Sequence, residues 1–172
     1  MPTILIIAGP NGAGKTSFVE EWFKRWGVRW PFLNADEISR EPALARLSQG
    51  ERDMRSGRLL LDRLDGLIAE GRDVVLETTL SSGLYARRIP SWREKGYRIR
   101  LIYVRLVSVD ASLARVALRV SNGGHGVSEA DIRRRFNRSL RNLEEVYMPL
   151  VDEWEIWDSG PTGRIFAARS AR

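Results

Sequence analysis

The chain has 172 residues, 43% of them hydrophobic, with a net charge of +6, no cysteine and one histidine. This length supports a single core-bearing domain over residues 1–172, and the composition excludes disulfides, thiolate chemistry and zinc sites built from cysteine or a histidine cluster. The excess charge comes largely from arginines in the second half, without a lysine-rich tail or a basic stripe interleaved with aromatics, so an anionic nucleotide rather than nucleic acid is the expected partner.

The first element is the apolar run Thr3 to Ala8, read as a buried strand that follows Met1 and Pro2 without the pattern of a signal peptide, so no secretory leader is expected. No stretch approaches the ~18 consecutive apolar residues of a membrane helix, so a cytoplasmic protein without membrane association is expected. The strand runs into Gly9-Pro10-Asn11-Gly12-Ala13-Gly14-Lys15-Thr16, a full match to G-x-x-x-x-G-K-[ST] in the strand, loop and helix context that gives the pattern its meaning. Such a turn aims successive backbone N–H groups and the positive end of a helix dipole at one point, which suits a polyphosphate. Gly9 to Thr16, with Ser17 in the first helical turn, are the expected ATP contacts. Lys15 can reach the β- and γ-phosphates, and the Thr16 hydroxyl can complete the shell of a magnesium ion.

The following helix, Lys15 to about Trp26, places Phe18, Trp22 and Trp26 at fourfold spacing, which predicts one face packed on the sheet. Pro31 to Asp36 reads as a short strand with a polar end. A long helix carrying Leu60, Leu61, Leu64, Leu67 and Ile68 stops at Gly71, and Asp73 to Glu77 is a central strand. Ser82 to Lys95 has helical character, interrupted or kinked at Pro90, before a strand from Tyr97 to Leu106. Ser108 caps a helix with the apolar stripe Leu113, Val116, Ala117 and Val120, and Asn122 to Gly126 breaks the pattern. Ser128 to Asp131 resembles a capping box opening a helix with Ile132, Phe136, Leu140, Leu143 and Tyr147 inward. Two short strands, around Trp154–Trp157 and Arg164–Ala168, end the series. Strands alternating with helices predict an α/β fold, a parallel sheet with helices on both faces.

In such a sheet, ligands sit beyond the carboxyl ends of the strands. Asp36 stands there and can accept a proton from a substrate hydroxyl that attacks the γ-phosphate; its alternative reading is a helix N-cap. Glu77, Thr78 and Thr79 can bind substrate hydroxyls or a magnesium-bound water, or can cap the next element. Arg115 and Arg119 lie four apart on one helix, while Arg133, Arg134, Arg135, Arg138 and Arg141 crowd the next with no acid among residues 133 to 141. A triphosphate rationalises that density, and the two helices with their glycine-rich connection read as an arginine-bearing lid; the alternative is a solvated face paired to Glu144 or Glu145. His125, in the glycine segment, is a lid residue without a catalytic role.

Ala8 to Thr16, Asn34-Ala35-Asp36, Glu77-Thr78-Thr79-Leu80, Gly123-Gly124-His125 and Arg134-Arg135-Phe136 together resemble the zeta-toxin-like group of P-loop kinases, over roughly Thr3 to Ser159. The resemblance implies a P-loop NTPase core of the nucleoside-monophosphate-kinase type. It also implies ATP- and magnesium-dependent phosphorylation of a hydroxyl on a small molecule, in zeta toxins a UDP-activated amino sugar, UDP-N-acetylglucosamine. By that resemblance Lys15 and Thr16 hold phosphate and magnesium, Asp36 is the catalytic base, Glu77 contacts the substrate, and Arg119 with Arg134 or Arg135 binds ATP phosphates. An antitoxin-like protein partner is a further implication. The rival expectations are a kinase for nucleosides, polynucleotide ends or an antibiotic hydroxyl, and a non-catalytic nucleotide-binding module under a partner's control.

Overall fold

The computed structural model describes residues 1–124 and 126–170. At the centre of the sheet is β1 (Thr3–Ala8), whose residues Ile4 to Ala8 are all buried. An unbroken apolar strand of this kind needs a neighbour on each edge and cover on each face. The edges are taken by β3 (Val74–Thr78) and β4 (Arg98–Arg105), both parallel to β1. Beyond them lie β2 (Phe32–Leu33) and β5 (Glu153–Gly160), also parallel, so the order is β2-β3-β1-β4-β5-β6.

Alternate side chains of β1 serve opposite faces. Ile4 and Ile6 join Leu60, Leu64 and Ile68 of α3 (Gln49–Ala69), Trp92 of α4 (Ile89–Glu94) and Tyr147. Leu5 and Ile7 join Phe18 and Val19 of α1 (Lys15–Trp26). The short α2 (Ala35–Ile38) follows β2, and α5 (Val109–Ser121) follows β4. Then α6 (Glu129–Asn142) continues into a wider π-helical turn, Leu143–Tyr147.

The elements depart from the sequence pattern in identifiable ways. The last strand, β6 (Gly163–Arg169), is antiparallel to β5, because the two residues Pro161 and Thr162 between them are far too few for a crossover. Trp26 is 63% exposed: residues eight apart on a helix are rotated by about 80°, so the row from Phe18 drifts off the sheet. Only Ile89–Glu94 of the segment 82–95 is helical, with Pro90 in its first turn, where a missing N–H costs nothing. Ala117 and Val120 of the predicted stripe on α5 face solvent, while Val116 is buried. Ser108 and Ser128 cap α5 and α6 as predicted, accepting from the backbone N–H of Ala111 and Asp131.

Candidate functional site

The loop from Gly9 to Gly14 lies at the carboxyl end of β1, where the neighbouring strands diverge to β3 on one side and β4 on the other. Gly9 has φ +145°, and a Cβ there would sit 2.2 Å from the Val104 carbonyl oxygen, so only glycine fits. Ser112 of α5 donates a 2.5 Å hydrogen bond to the Asn11 carbonyl. Arg164 of β6 donates to the Gly14 carbonyl at 3.2 Å. No side chain caps α1 and no acid occupies its first turn, which leaves its positive end for an anion.

Glu77, at the end of β3, is the hub of the site. Its Oε2 accepts from Thr16 Oγ1 at 2.8 Å and from Asn34 Nδ2 at 3.1 Å, and its Oε1 lies 3.8 Å from Lys15 Nζ. Lys15 is only 8% exposed and also donates to the Pro10 carbonyl at 3.1 Å. Burial pushes the Lys15 ammonium below its usual range; the charges of Glu77 and Asp36 oppose the shift, and that of Arg119 adds to it.

Asp36 does not end a strand; it stands in the first turn of α2. The cap of that helix is Asn34, whose Oδ1 accepts from the Asp36 N–H at 2.8 Å. One buried amide thus caps α2 with its oxygen and fixes Glu77 with its nitrogen. The Asp36 carboxylate has no hydrogen-bonded or ion-paired side chain among the described residues and faces the same cavity as Lys15, Thr16 and Glu77. This cavity measures about 330 Å3, and Glu37, Arg40 and Tyr85 also line it. Sequence reasoning missed those three and the double role of Asn34, although an asparagine opening a helical segment is a preferred N-cap. Burial pushes the Glu37 carboxyl up, with the Glu77 charge adding to the shift and Arg40 opposing it. Burial also pushes the Tyr85 hydroxyl to about 12.

Thr78, the last residue of β3, and Thr79, which follows it, line the cavity. Thr78 Oγ1 accepts from the Leu80 N–H at 3.1 Å, and Leu80 holds φ +59°, a left-handed conformation that β3 and α6 together impose. Ser139 donates to the Thr79 carbonyl at 2.5 Å and Asn142 to the Leu80 carbonyl at 2.8 Å. The helix carrying the arginines is thereby fastened to the Thr79–Leu80 side of the cavity.

The arginines divide by environment. Arg119 and Arg135 line the cavity, and Arg119 Nε and Nη2 are buried with no hydrogen-bond partner among the described residues. Arg134 is exposed and pairs with Asp131, outside the cavity. Arg133 pairs with Glu129 and Asp110. Arg115 bonds to Ser159 Oγ at 2.7 Å and to the carbonyls of Ser159 and Gly160, tying α5 to the β5 end. His125 lies outside the described residues.

A larger cavity of about 1000 Å3 opens on the far side of Gly14 and Ser17, walled by Trp22, Trp26, Trp157 and Phe166. It contains neither Lys15, Asp36 nor Glu77, so the smaller cavity is the candidate site of phosphoryl chemistry.

A glycine-rich loop between β1 and α1, the strand order 2-3-1-4-5 and an arginine-bearing helix pair beside the loop define a P-loop domain of kinase-like fold. The chain belongs to the AAA-domain family, which it matches over residues 4–145. An uncharacterized protein of Haemophilus influenzae is 27% identical over 134 residues, 77% of this chain and 91% of that protein. Among solved structures, one from the PezAT toxin–antitoxin system of Streptococcus pneumoniae superposes with a TM-score of 0.72 at 18% identity, over 98% of this chain and 72% of that one. The AvrRxo1-ORF1:ORF2 complex solved with ATP superposes with a TM-score of 0.68 at 17% identity, over 98% of this chain but only 58% of its own. These likenesses show a shared fold, and at that level the resemblance to zeta-toxin-like P-loop kinases holds.

Proposed function

We propose that the protein is an ATP-dependent phosphotransferase that moves the γ-phosphate to a hydroxyl of a small molecule. The observation that carries the reading is the convergence on one cavity of Lys15, Thr16, Glu77, a carboxylate at Asp36 with no partner of its own, and Arg119, whose Nε and Nη2 are buried without one among the described residues. A nucleotide-binding module needs the lysine and threonine but has no use for the Asp36 carboxylate. The ATP in the similarly folded AvrRxo1 complex supports the choice of nucleotide.

In this reading Asp36 takes the proton from the acceptor hydroxyl as its oxygen bonds to the γ-phosphorus and the bond to the β-phosphate oxygen breaks, releasing ADP. Lys15 and Arg119 stabilise the charge that spreads over the transferring and leaving phosphates. Arg135 lies close enough to take part, whereas Arg134 would have to leave Asp131. Thr16 Oγ1, with Glu77 behind it, would hold magnesium, which would supply positive charge against the phosphates. The fit rests on the donors: among the described residues no group of three acids or histidines could hold a metal alone, so the remaining ligands would come from the phosphates and water.

The acceptor suggested by the zeta-toxin-like resemblance is a UDP-activated amino sugar. Toxin–antitoxin relatives of the same fold support an antitoxin-like partner as part of this proposal. Incubation with labelled ATP and a panel of nucleotide sugars, nucleosides, antibiotics and 5′-hydroxyl oligonucleotides tests the reading. Transfer to one class names the acceptor; ATP binding with no transfer to any of them would favour the non-catalytic module.

A further inference from the structure

The turn after α5 is a left-handed helix termination, with Gly123 at φ +81°, that brings residue 124 back onto Arg119. Asn122 and Gly123 close the helix with hydrogen bonds to the carbonyls of Leu118 and Val120, and the Gly124 N–H returns to the Arg119 carbonyl at 2.9 Å. A Cβ on Gly124 would lie 2.6 Å from Arg119 Cγ and 2.8 Å from the Arg119 carbonyl oxygen, whereas a Cβ on Gly123 would meet nothing within 4 Å. The backbone at 124 therefore rests on the arginine's aliphatic stem. At the other end of that stem, Nε and Nη2 are buried beside the phosphate loop without a partner.

Two buried guanidinium nitrogens without partners are unfavourable, and a long flexible stem would normally carry them out to solvent. We propose that Gly124 is a positioning residue: lacking a side chain, it lets the turn press on the Arg119 stem and hold the guanidinium in the phosphate cavity before a nucleotide arrives. Packing rather than ion pairing keeps the charge in place, and an incoming phosphate supplies the missing partner without reorganisation. The proximity of Arg119 to Lys15, whose ammonium it destabilises, agrees with this placement. The inference rests on the nucleotide reading above and adds to it a residue that touches neither nucleotide nor acceptor.

The test is a double-mutant cycle read by titration calorimetry with the non-hydrolysable analogue AMP-PNP and magnesium chloride, with melting temperatures in parallel. Arg119→Ala should weaken binding by at least about tenfold, and Gly124→Ala by about tenfold. The double variant Arg119→Ala/Gly124→Ala should bind no more weakly than Arg119→Ala alone, because the glycine acts only through the arginine. Wild-type affinity in a folded Gly124→Ala variant overturns the inference while leaving the nucleotide reading intact, and so does an equal further loss in the Arg119→Ala background. Unchanged binding in Arg119→Ala overturns it together with the role given to Arg119. Loss of binding on Lys15→Ala tests the phosphate loop separately. If Gly124→Ala alone does not fold, the double variant should recover part of the stability, since the crowded Cγ is gone; no recovery overturns the inference.

Discussion

Thr16 Oγ1 donates a 2.8 Å hydrogen bond to Glu77 Oε2 across 61 residues of sequence, and the same carboxylate faces Lys15 Nζ through its other oxygen at 3.8 Å. The two residues that would meet phosphate and magnesium are thus held by one acid. Glu77→Gln keeps the shape but leaves the buried Lys15 ammonium without its nearest counter-charge. Its expected cost is about 2–4 kcal/mol of stability in the nucleotide-free protein. Part of that loss should return with ATP and magnesium, because phosphate replaces the lost charge. Urea unfolding with and without nucleotide checks both halves, and an unchanged midpoint without nucleotide would show that the pair is not coupled to folding.

Lys15→Ala should lower phosphoryl transfer by about 3–4 kcal/mol in transition-state terms, since it removes a cation aimed at the β- and γ-phosphates. The fold should persist, because the deletion also removes an ammonium whose burial is unfavourable. Single-turnover transfer and a thermal melt on the same preparation make the comparison. Transfer at the wild-type rate would take the phosphate loop out of the mechanism.

Asp36→Asn and Asn34→Ala separate chemistry from capping. The cap of α2 belongs to Asn34, so Asp36→Asn should leave stability and ATP affinity nearly intact while abolishing most transfer. Asn34→Ala loses the cap and one Glu77 contact and should cost about 1–2 kcal/mol. ATP titration, melting and acceptor phosphorylation measured side by side give the answer. An active Asp36→Asn enzyme would move the base elsewhere, with Glu77 the next candidate.

All four tyrosines have hydroxyls raised above their usual value of 10, chiefly by burial, and Tyr85 and Tyr103 reach about 12. Between pH 10 and 12 the unfolded chain has lost protons that these two residues still hold in the fold. The folded state then binds more protons, so stability should fall as pH rises through that window and be unaffected by these groups below it. Tyrosinate absorption near 295 nm should therefore stay low at pH 10.5 until the protein unfolds. Normal titration of all four rings in the folded protein would contradict their burial.

The phosphate loop, the alternation of strands and helices and the place of Glu77 near the carboxyl end of its strand are legible because each is written locally, as a glycine spacing, an apolar run or a polar residue closing that run. What was not legible depends on which way a side chain turns once the elements dock. Arg134 and Arg135 are adjacent in sequence but about 100° apart on a helix, and only the packing of α6 decides which one meets the cavity. Arg115 could be taken for part of the lid until the β5 end supplied Ser159 and Gly160 as its partners. The capping of α2 passed from Asp36 to Asn34 because the strand before it ends three residues earlier than its composition suggests.

Arg164 reaches the Gly14 carbonyl across 150 residues, and Arg115 reaches the Gly12 carbonyl across 103. The loop written first in the chain is therefore braced by α5, made much later, and by the last strand. Contacts of such long range form late, because closing a large loop costs entropy before it returns any contact. During synthesis, β1 and α1 can emerge well before their braces exist, so the phosphate loop is fully braced only when the final hairpin docks. A chain stalled before residue 164 would then carry an intact phosphate-binding motif without the scaffold that gives it its shape.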